Sequence, residues 1–255
     1  MVRMSDVSRE GILLIGGGRA ILLQIAVPAI GHGVARHSDF TSDPLHRLHG
    51  TLSYVYALAN GTADDRDRMR RAVNRAHAPV RSVGDADPAY NAMDPALQLW
   101  VAATLYETAI SMYERIYGAL EPDVAELIYR EYAALGTDLQ MDAALWPTDR
   151  AAFTAYWDAT IATLSVDETV REVQRMLFRP VAVPLGIRVI MPLVRFVTVG
   201  LLPDSVRALY GLTWSSREER RFARTMRVAT AVYRVLPRFV RHAPQRYYLR
   251  RIRSR

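Results

Sequence analysis

The 255-residue chain is half apolar, 23% charged and carries a net charge of +7; it has enough chain to bury a sizeable core and too many large apolar residues to be disordered. It contains no cysteine, which excludes a disulfide scaffold, thiolate metal sites and a cysteine nucleophile. All 33 basic residues are arginine, so Schiff-base chemistry and a P-loop lysine are excluded too.

The charge is unevenly placed. Residues 1–203 hold 19 arginines against 23 carboxylates, whereas 204–255 hold 14 arginines against three. This divides the chain into a helical body, 1–203, and an Arg-rich helical arm, 204–255, packed on the same domain, with the Pro-rich stretch 179–203 as a hinge.

At the N-terminus Arg3 and Arg9 are balanced by Asp6 and Glu10, and the following apolar run is broken by Gly16, Gly17, Gly18 and Arg19. No signal peptide is expected, and the chain is read as cytoplasmic. The three glycines invite a dinucleotide-binding loop, but the third glycine of that fingerprint is replaced by Ile21 and no strand–helix alternation follows. A glycine turn that lets two helices approach is the better reading.

Asp43-Pro44 places a cap before a first-turn proline and opens a helix to about Ala59, with Gly61 as its stop. Thr62 caps the next segment, 63–77, which is densely charged. Residues 78–93 form a long loop. Asp94-Pro95 starts a long helix through Tyr117, ended by Gly118, and Glu121-Pro122 starts another, to Gly136. Ser165 with Glu168, and Ser216 with Glu219, have capping-box spacing. Leu97, Trp100, Val101, Thr104, Leu105 and Thr108 recur at helical spacing. Between 181 and 202 an apolar run carries Arg188 and Arg195, which favours a buried or surface-lying helix over a membrane span. The fold class is all-α, a single helical domain.

The sequence lacks G-x-S-x-G, H-E-x-x-H and Glu-x-x-His patterns. His46 and His49 stand one turn apart without an evident third ligand, so a solvated pair is the ordinary reading. Glu107 and Glu114 read as salt-bridged structural carboxylates. Arg47 and Thr51 share a helix face beside Leu48, Leu52 and Val55, a strip expected to face the core; an arginine there needs an anionic partner. His77 sits in the last turn of its helix, either interacting with the helix dipole or serving as an axial metal ligand, with Arg81 beyond it available to a carboxylate.

Several ordered motifs carry a resemblance: Gly17-Gly18-Arg19-Ala20-Ile21-Leu22-Leu23-Gln24 with Pro28, then His37-Ser38-Asp39-Phe40, Asp43-Pro44 and Arg47-x-x-x-Thr51. They continue with Asn74-Arg75-Ala76-His77-x-x-Val80, Tyr90-Asn91-Ala92-x-Asp94-Pro95 and Trp100-Val101-x-Ala103-Thr104-Leu105. Together, from about Gly11 to Tyr248, they resemble the rubber oxygenase (latex-clearing protein) catalytic-domain superfamily, which includes ER-bound oxygenases of mycophenolic acid biosynthesis. The resemblance implies an all-α, globin-like domain around haem b, with His77 as the proximal iron ligand and Arg47 and Thr51 beside the haem. Arg81 would pair a propionate and His37 would stand on the distal side. The chain departs from the pattern at Gly50, where rubber oxygenases have lysine, at 29–34, which lack their acidic residue, and at Ala102, where many bacterial relatives have histidine.

The implied function is a haem b-dependent oxidoreductase, an oxygenase acting on an apolar small molecule with O₂ or peroxide. The alternatives are a non-catalytic haem carrier or sensor and a membrane-surface interaction protein. In the arm, Arg238 to Arg255 alternate with Phe239, Tyr247, Tyr248, Leu249 and Ile252, a composition suited to peripheral contact with an anionic membrane at its inner face. A solvated or dimer-forming tail is the alternative, and no motif for specific nucleic-acid recognition accompanies the charge.

Overall fold

The structure, a computed structural model, describes residues 2–37, 44–85, 87–180 and 183–254, without the side chains of 44–47. The described chain is helical throughout, and its only β feature is an isolated antiparallel bridge between Arg81 and Asn91. In chain order the helices are α1 (Met4–Ser8), a 3₁₀ turn (Gly11–Gly16), α2 (Gly17–Ile25), α3 (Pro28–His37), α4 (Pro44–Asn60), α5 (Ala63–His77), α6 (Pro95–Tyr117), α7 (Pro122–Tyr132) and α8 (Ala134–Thr137). After a second 3₁₀ turn come α9 (Arg150–Thr163), α10 (Glu168–Phe178), α11 (Leu185–Leu201), α12 (Asp204–Leu209), α13 (Ser216–Val235), α14 (Arg238–Arg241) and α15 (Ala243–Arg253).

Local chemistry sets most of these ends. The Thr62 side chain accepts from the Asp65 N–H while Asp65 accepts from the Thr62 N–H, closing a capping box at α5. Asp94 caps α6 through the Ala96 N–H ahead of Pro95, and Gly118, at φ +92°, ends it. Three expected boundaries move. Glu121-Pro122 opens α7 as expected, but the helix breaks at Ala133 before the short α8. Asp167, not Ser165, caps α10, because the Ser165 N–H is committed to the Ala26 carbonyl. Ser215 with Glu218, not Ser216 with Glu219, forms the box at α13, and Glu219 instead accepts from the Trp214 indole. The Asp43 cap lies outside the described residues.

The long helix α6 is the axis of the core. Trp100 is fully buried and donates its indole N–H to the Leu23 carbonyl at 3.0 Å. Tyr106 meets Tyr129, Phe153 and Trp146 edge-on, with centroids 5.0–6.2 Å apart. The glycine run brings α2 against its neighbours: a Cβ at Gly16 would collide with Thr108 of α6, and one at Gly18 with Thr198 of α11. Arg19, on the same turn, is buried and pairs with Glu107 while its Nε donates to the Leu201 carbonyl at 2.8 Å. Glu107 is thus a structural partner, as expected, and Glu114 accepts from the Leu120 N–H beyond the helix end.

Among the described residues no single helix is long and apolar enough to cross a bilayer. The bent pair Gly11–Ile25 and Pro28–His37 passes by composition alone, with a 108° break, and its Leu22, Leu23, Ile25 and Val34 lie in the core.

Candidate functional site

Helices α4 and α5 form a hairpin joined at Gly61 and Thr62. Counted from that turn at about 1.5 Å per residue, His77 and Arg47 both lie about 20 Å along their helices, and Thr51 one turn lower. The hairpin therefore brings three of the predicted positions to its open end. There Thr51 is exposed, and a Cβ on Gly50 would meet only open space. The side chains of Arg47 and His46 are not among those described.

The expected core strip needs correction. Leu48 is exposed and Leu52 and Val55 are half-buried, while Tyr54, Tyr56, Ala57 and Leu58 form the buried face of α4. The reason is that α4 packs against α1, α8 and α15, and tyrosine gives those contacts a large apolar ring with a hydroxyl to satisfy. Tyr54 donates to the Leu135 carbonyl at 3.0 Å, and Tyr56 stacks on Tyr248 at 5.4 Å. Nor is His49 a merely solvated histidine: its Nδ1 shares a 2.7 Å hydrogen bond with the Tyr248 hydroxyl.

His77 closes α5, and its carbonyl accepts from the Val80 N–H at 2.8 Å. Its ring is half-buried and its Nδ1 is shut off from solvent. The loop that follows folds back on itself. Ser82 N–H donates to the Tyr90 carbonyl and Ala92 N–H to the Val80 carbonyl, which sets Arg81, exposed, opposite Asn91. Buried Tyr90 then ties this loop to α3: its hydroxyl shares a 2.9 Å hydrogen bond with His37 Nε2, the rings meet edge-on at 5.5 Å, and the Arg36 guanidinium lies over the phenol. His37, His77 and Arg81 are thus held through one loop, and His37 spends one ring nitrogen on its anchor.

A polar network missed in the sequence fixes the His77 end of α5. Gln140 donates from its side chain to Asn74 Oδ1 at 2.9 Å. Gln98 donates to Gln140 Oε1 at 2.7 Å and to the Ala92 carbonyl at 3.0 Å, and accepts from the Gln140 N–H. Asn74 lies one turn before His77 on the same side of α5, and that spacing was the available signal. Below it, burial raises the Asp138 carboxyl above the usual range, opposed by the Arg70 and Arg66 charges.

The donor set is one imidazole. Among the described residues no cluster of three His, Asp or Glu side chains can hold a bare metal ion. A single histidine at the end of a helix suits iron that arrives with four nitrogens of its own in a macrocycle, and an exposed arginine four residues on suits the carboxylates of such a group. The residues present fit a haem in this respect.

The chain matches the family described as "ER-bound oxygenase mpaB/B'/Rubber oxygenase, catalytic domain" over residues 5–231. Two relatives, Uncharacterized protein Mb2261 of Mycobacterium bovis and Uncharacterized protein Rv2237 of Mycobacterium tuberculosis, are each 36% identical over 222 residues, covering 85% of this chain and 87% of theirs. No solved structure matches.

Proposed function

Since the chain belongs to the family of ER-bound oxygenase mpaB/B' and rubber oxygenase catalytic domains, we propose that it is a haem b-dependent oxygenase acting on an apolar small molecule, with His77 as the iron ligand. The observation that carries the reading is the placement of His77. It ends a capped helix at the open mouth of the α4–α5 hairpin, with the Asn74–Gln140–Gln98 network holding that end in place. When bound, haem supplies activation of O₂ or peroxide, which no protein side chain can.

The chain's own residues do the rest. A neutral His77 imidazole offers one nitrogen as ligand, and the solvent-shielded edge at Nδ1 favours a fixed ring orientation. Arg81, exposed on the tied loop, would pair a propionate of the bound group. Thr51 offers a hydroxyl that can donate or accept one proton, and Arg47 supplies a permanent cation with planar donors. Leu48 and Leu52, one turn apart on α4 and partly open to solvent, offer an apolar strip that a lipophilic substrate could cover.

Thr51→Ala in the haem-loaded protein is the test. O₂ uptake with a panel of apolar substrates should fall at least about tenfold while haem content stays unchanged. Unchanged turnover would remove Thr51 from the site. A second reading, a haem carrier or sensor, is favoured by Gly50 and Ala102, which leave this chain without the family's lysine and histidine there; it requires bound haem with no substrate-dependent O₂ uptake.

A further inference from the structure

Helix α11 is apolar apart from Arg188 and Arg195, two turns apart on one face, and Thr198, a composition that ordinarily marks a largely buried helix. Its C-terminal half is one: Val197, Thr198, Val199 and Leu201 are buried, and Gly200 sits against Phe222 of α13. Its N-terminal half, 185–195, is not. Leu185 is 73% exposed and Val189 71%, and Ile190, Leu193 and Val194 are exposed beside Arg188 and Arg195. α13, packed against α11, adds Val228, Val232 and Val235 one turn apart in one exposed stripe and Arg220, Arg227 and Arg234 two turns apart in another. Those three arginines and Arg115 of α6 line two adjoining grooves of about 940 and 450 Å³, floored by Phe222 and Met226. None of the four has a carboxylate within ion-pair distance among the described residues.

The occupant follows from charge and length. Residues 173–203 and 220–255 contain no Asp or Glu at all. Of the carboxylates that line the two grooves, Glu107 pairs with Arg19, Asp204 pairs with Arg207 and Glu219 accepts from the Trp214 indole. A second copy related by a twofold axis would therefore bring these arginines face to face with little beyond Glu219 to offset them. The exposed segment of α11 is about 16 Å long, half a bilayer core. Aliphatic side chains spread over a convex helix, flanked by arginines whose stems can lie along the apolar layer, match the interfacial zone of an anionic bilayer. The tail itself is less available than its composition promised: Tyr248 and Ile252 are buried and Arg253 is bonded to Asp65, although Phe239 and Tyr247 remain exposed.

We propose that the α11–α13 pair is a docking surface for anionic phospholipid, with the N-terminal half of α11 entering the interface and headgroup phosphates meeting Arg115, Arg220, Arg227 and Arg234. The proposal is independent of the oxygenase reading. The test is flotation of the purified full chain with phosphatidylcholine vesicles and with vesicles one-third phosphatidylglycerol. Binding should favour the anionic vesicles and fall with salt. Val189→Asp with Leu193→Asp should reduce it at least about tenfold, and Arg227→Gln with Arg234→Gln by about tenfold at low salt. These side chains are exposed, so circular dichroism should be unchanged in both. Absence of binding to anionic vesicles, equal binding to neutral ones, or indifference to both variants would overturn the proposal. So would a dimer in sedimentation equilibrium that the aspartates dissolve, which would give the face to a second copy, or capture by an acidic protein without lipid binding.

Discussion

The two ends of the α4–α5 hairpin are built for opposite tasks. At the turn, everything is tied: the Thr62 box caps α5, Asp65 takes two hydrogen bonds from Arg253, Arg68 donates to the Ile252 carbonyl, and Asn60 donates to the Ser5 carbonyl. At the mouth, Leu48, Gly50 and Thr51 are exposed on one helix, the half-buried His77 ends the other, and the exposed Arg81 follows it in the loop. The closed end holds the fold, and the open end leaves Leu48, Gly50 and Thr51 of α4 exposed. The C-terminal arm belongs to the first category, because α15 is the element that locks the hairpin from outside.

The largest expected effect tests that lock. Tyr248→Ala removes a ring stacked on Tyr56 and a hydroxyl bonded to His49, and should lower stability by about 3 kcal/mol in urea unfolding. A loss below about 0.5 kcal/mol would show that the arm only rests on the hairpin. Asp65→Ala removes a cap and the Arg253 partner together, and should lose about 2 kcal/mol.

Acid should loosen the contacts that tie the C-terminal arm to the body. The hydrogen bond from Arg253 holds the Asp65 carboxyl below its usual value, aided by Thr62. Burial pushes Glu10 up, but hydrogen bonds with Tyr233, His242 and Tyr117 and the nearby Arg241 charge bring it below the usual range. Depressed folded-state values mean that this stabilisation is complete above the ordinary carboxylate range and is lost as pH falls through and below it. The urea midpoint should therefore drop on acidification, and less so in Asp65→Asn combined with Glu10→Gln. At the mouth the smallest effect is expected: Leu48→Ala should change apoprotein stability by under about 1 kcal/mol, because more than a third of its surface is already in solvent. A larger loss would mean that the mouth, too, is part of the scaffold.

Much of the helical scaffold was legible because capping chemistry is local. Thr62, Asp94-Pro95 and Gly118 each act through neighbours a few residues away, and their spacing announces them. The glycine run was legible for the same reason. What remained hidden depends on partners far along the chain: Gln140 reaches Asn74 from 66 residues away and Gln98 reaches Gln140 from 42, and no periodicity marks such pairs. Periodicity also misplaced the core face of α4, because it weighs leucine above tyrosine while packing against α15 rewarded the tyrosine rings. At α11 the pattern gave a helix but could not tell which half the fold would cover. The candidate site stands between these cases. His77 and Arg81 were picked out by position at a helix end, whereas the anchoring of His37 by Tyr90 spans 53 residues.

The most direct test of the open end as a haem site is a pyridine haemochrome assay with a visible spectrum on the purified protein and on His77→Ala. The expected result is a Soret band and a b-type haemochrome in the wild type, lost in a variant that keeps its helical circular dichroism. Equal haem content in both proteins, or a wild type that takes up no added haem, would contradict the assignment of His77.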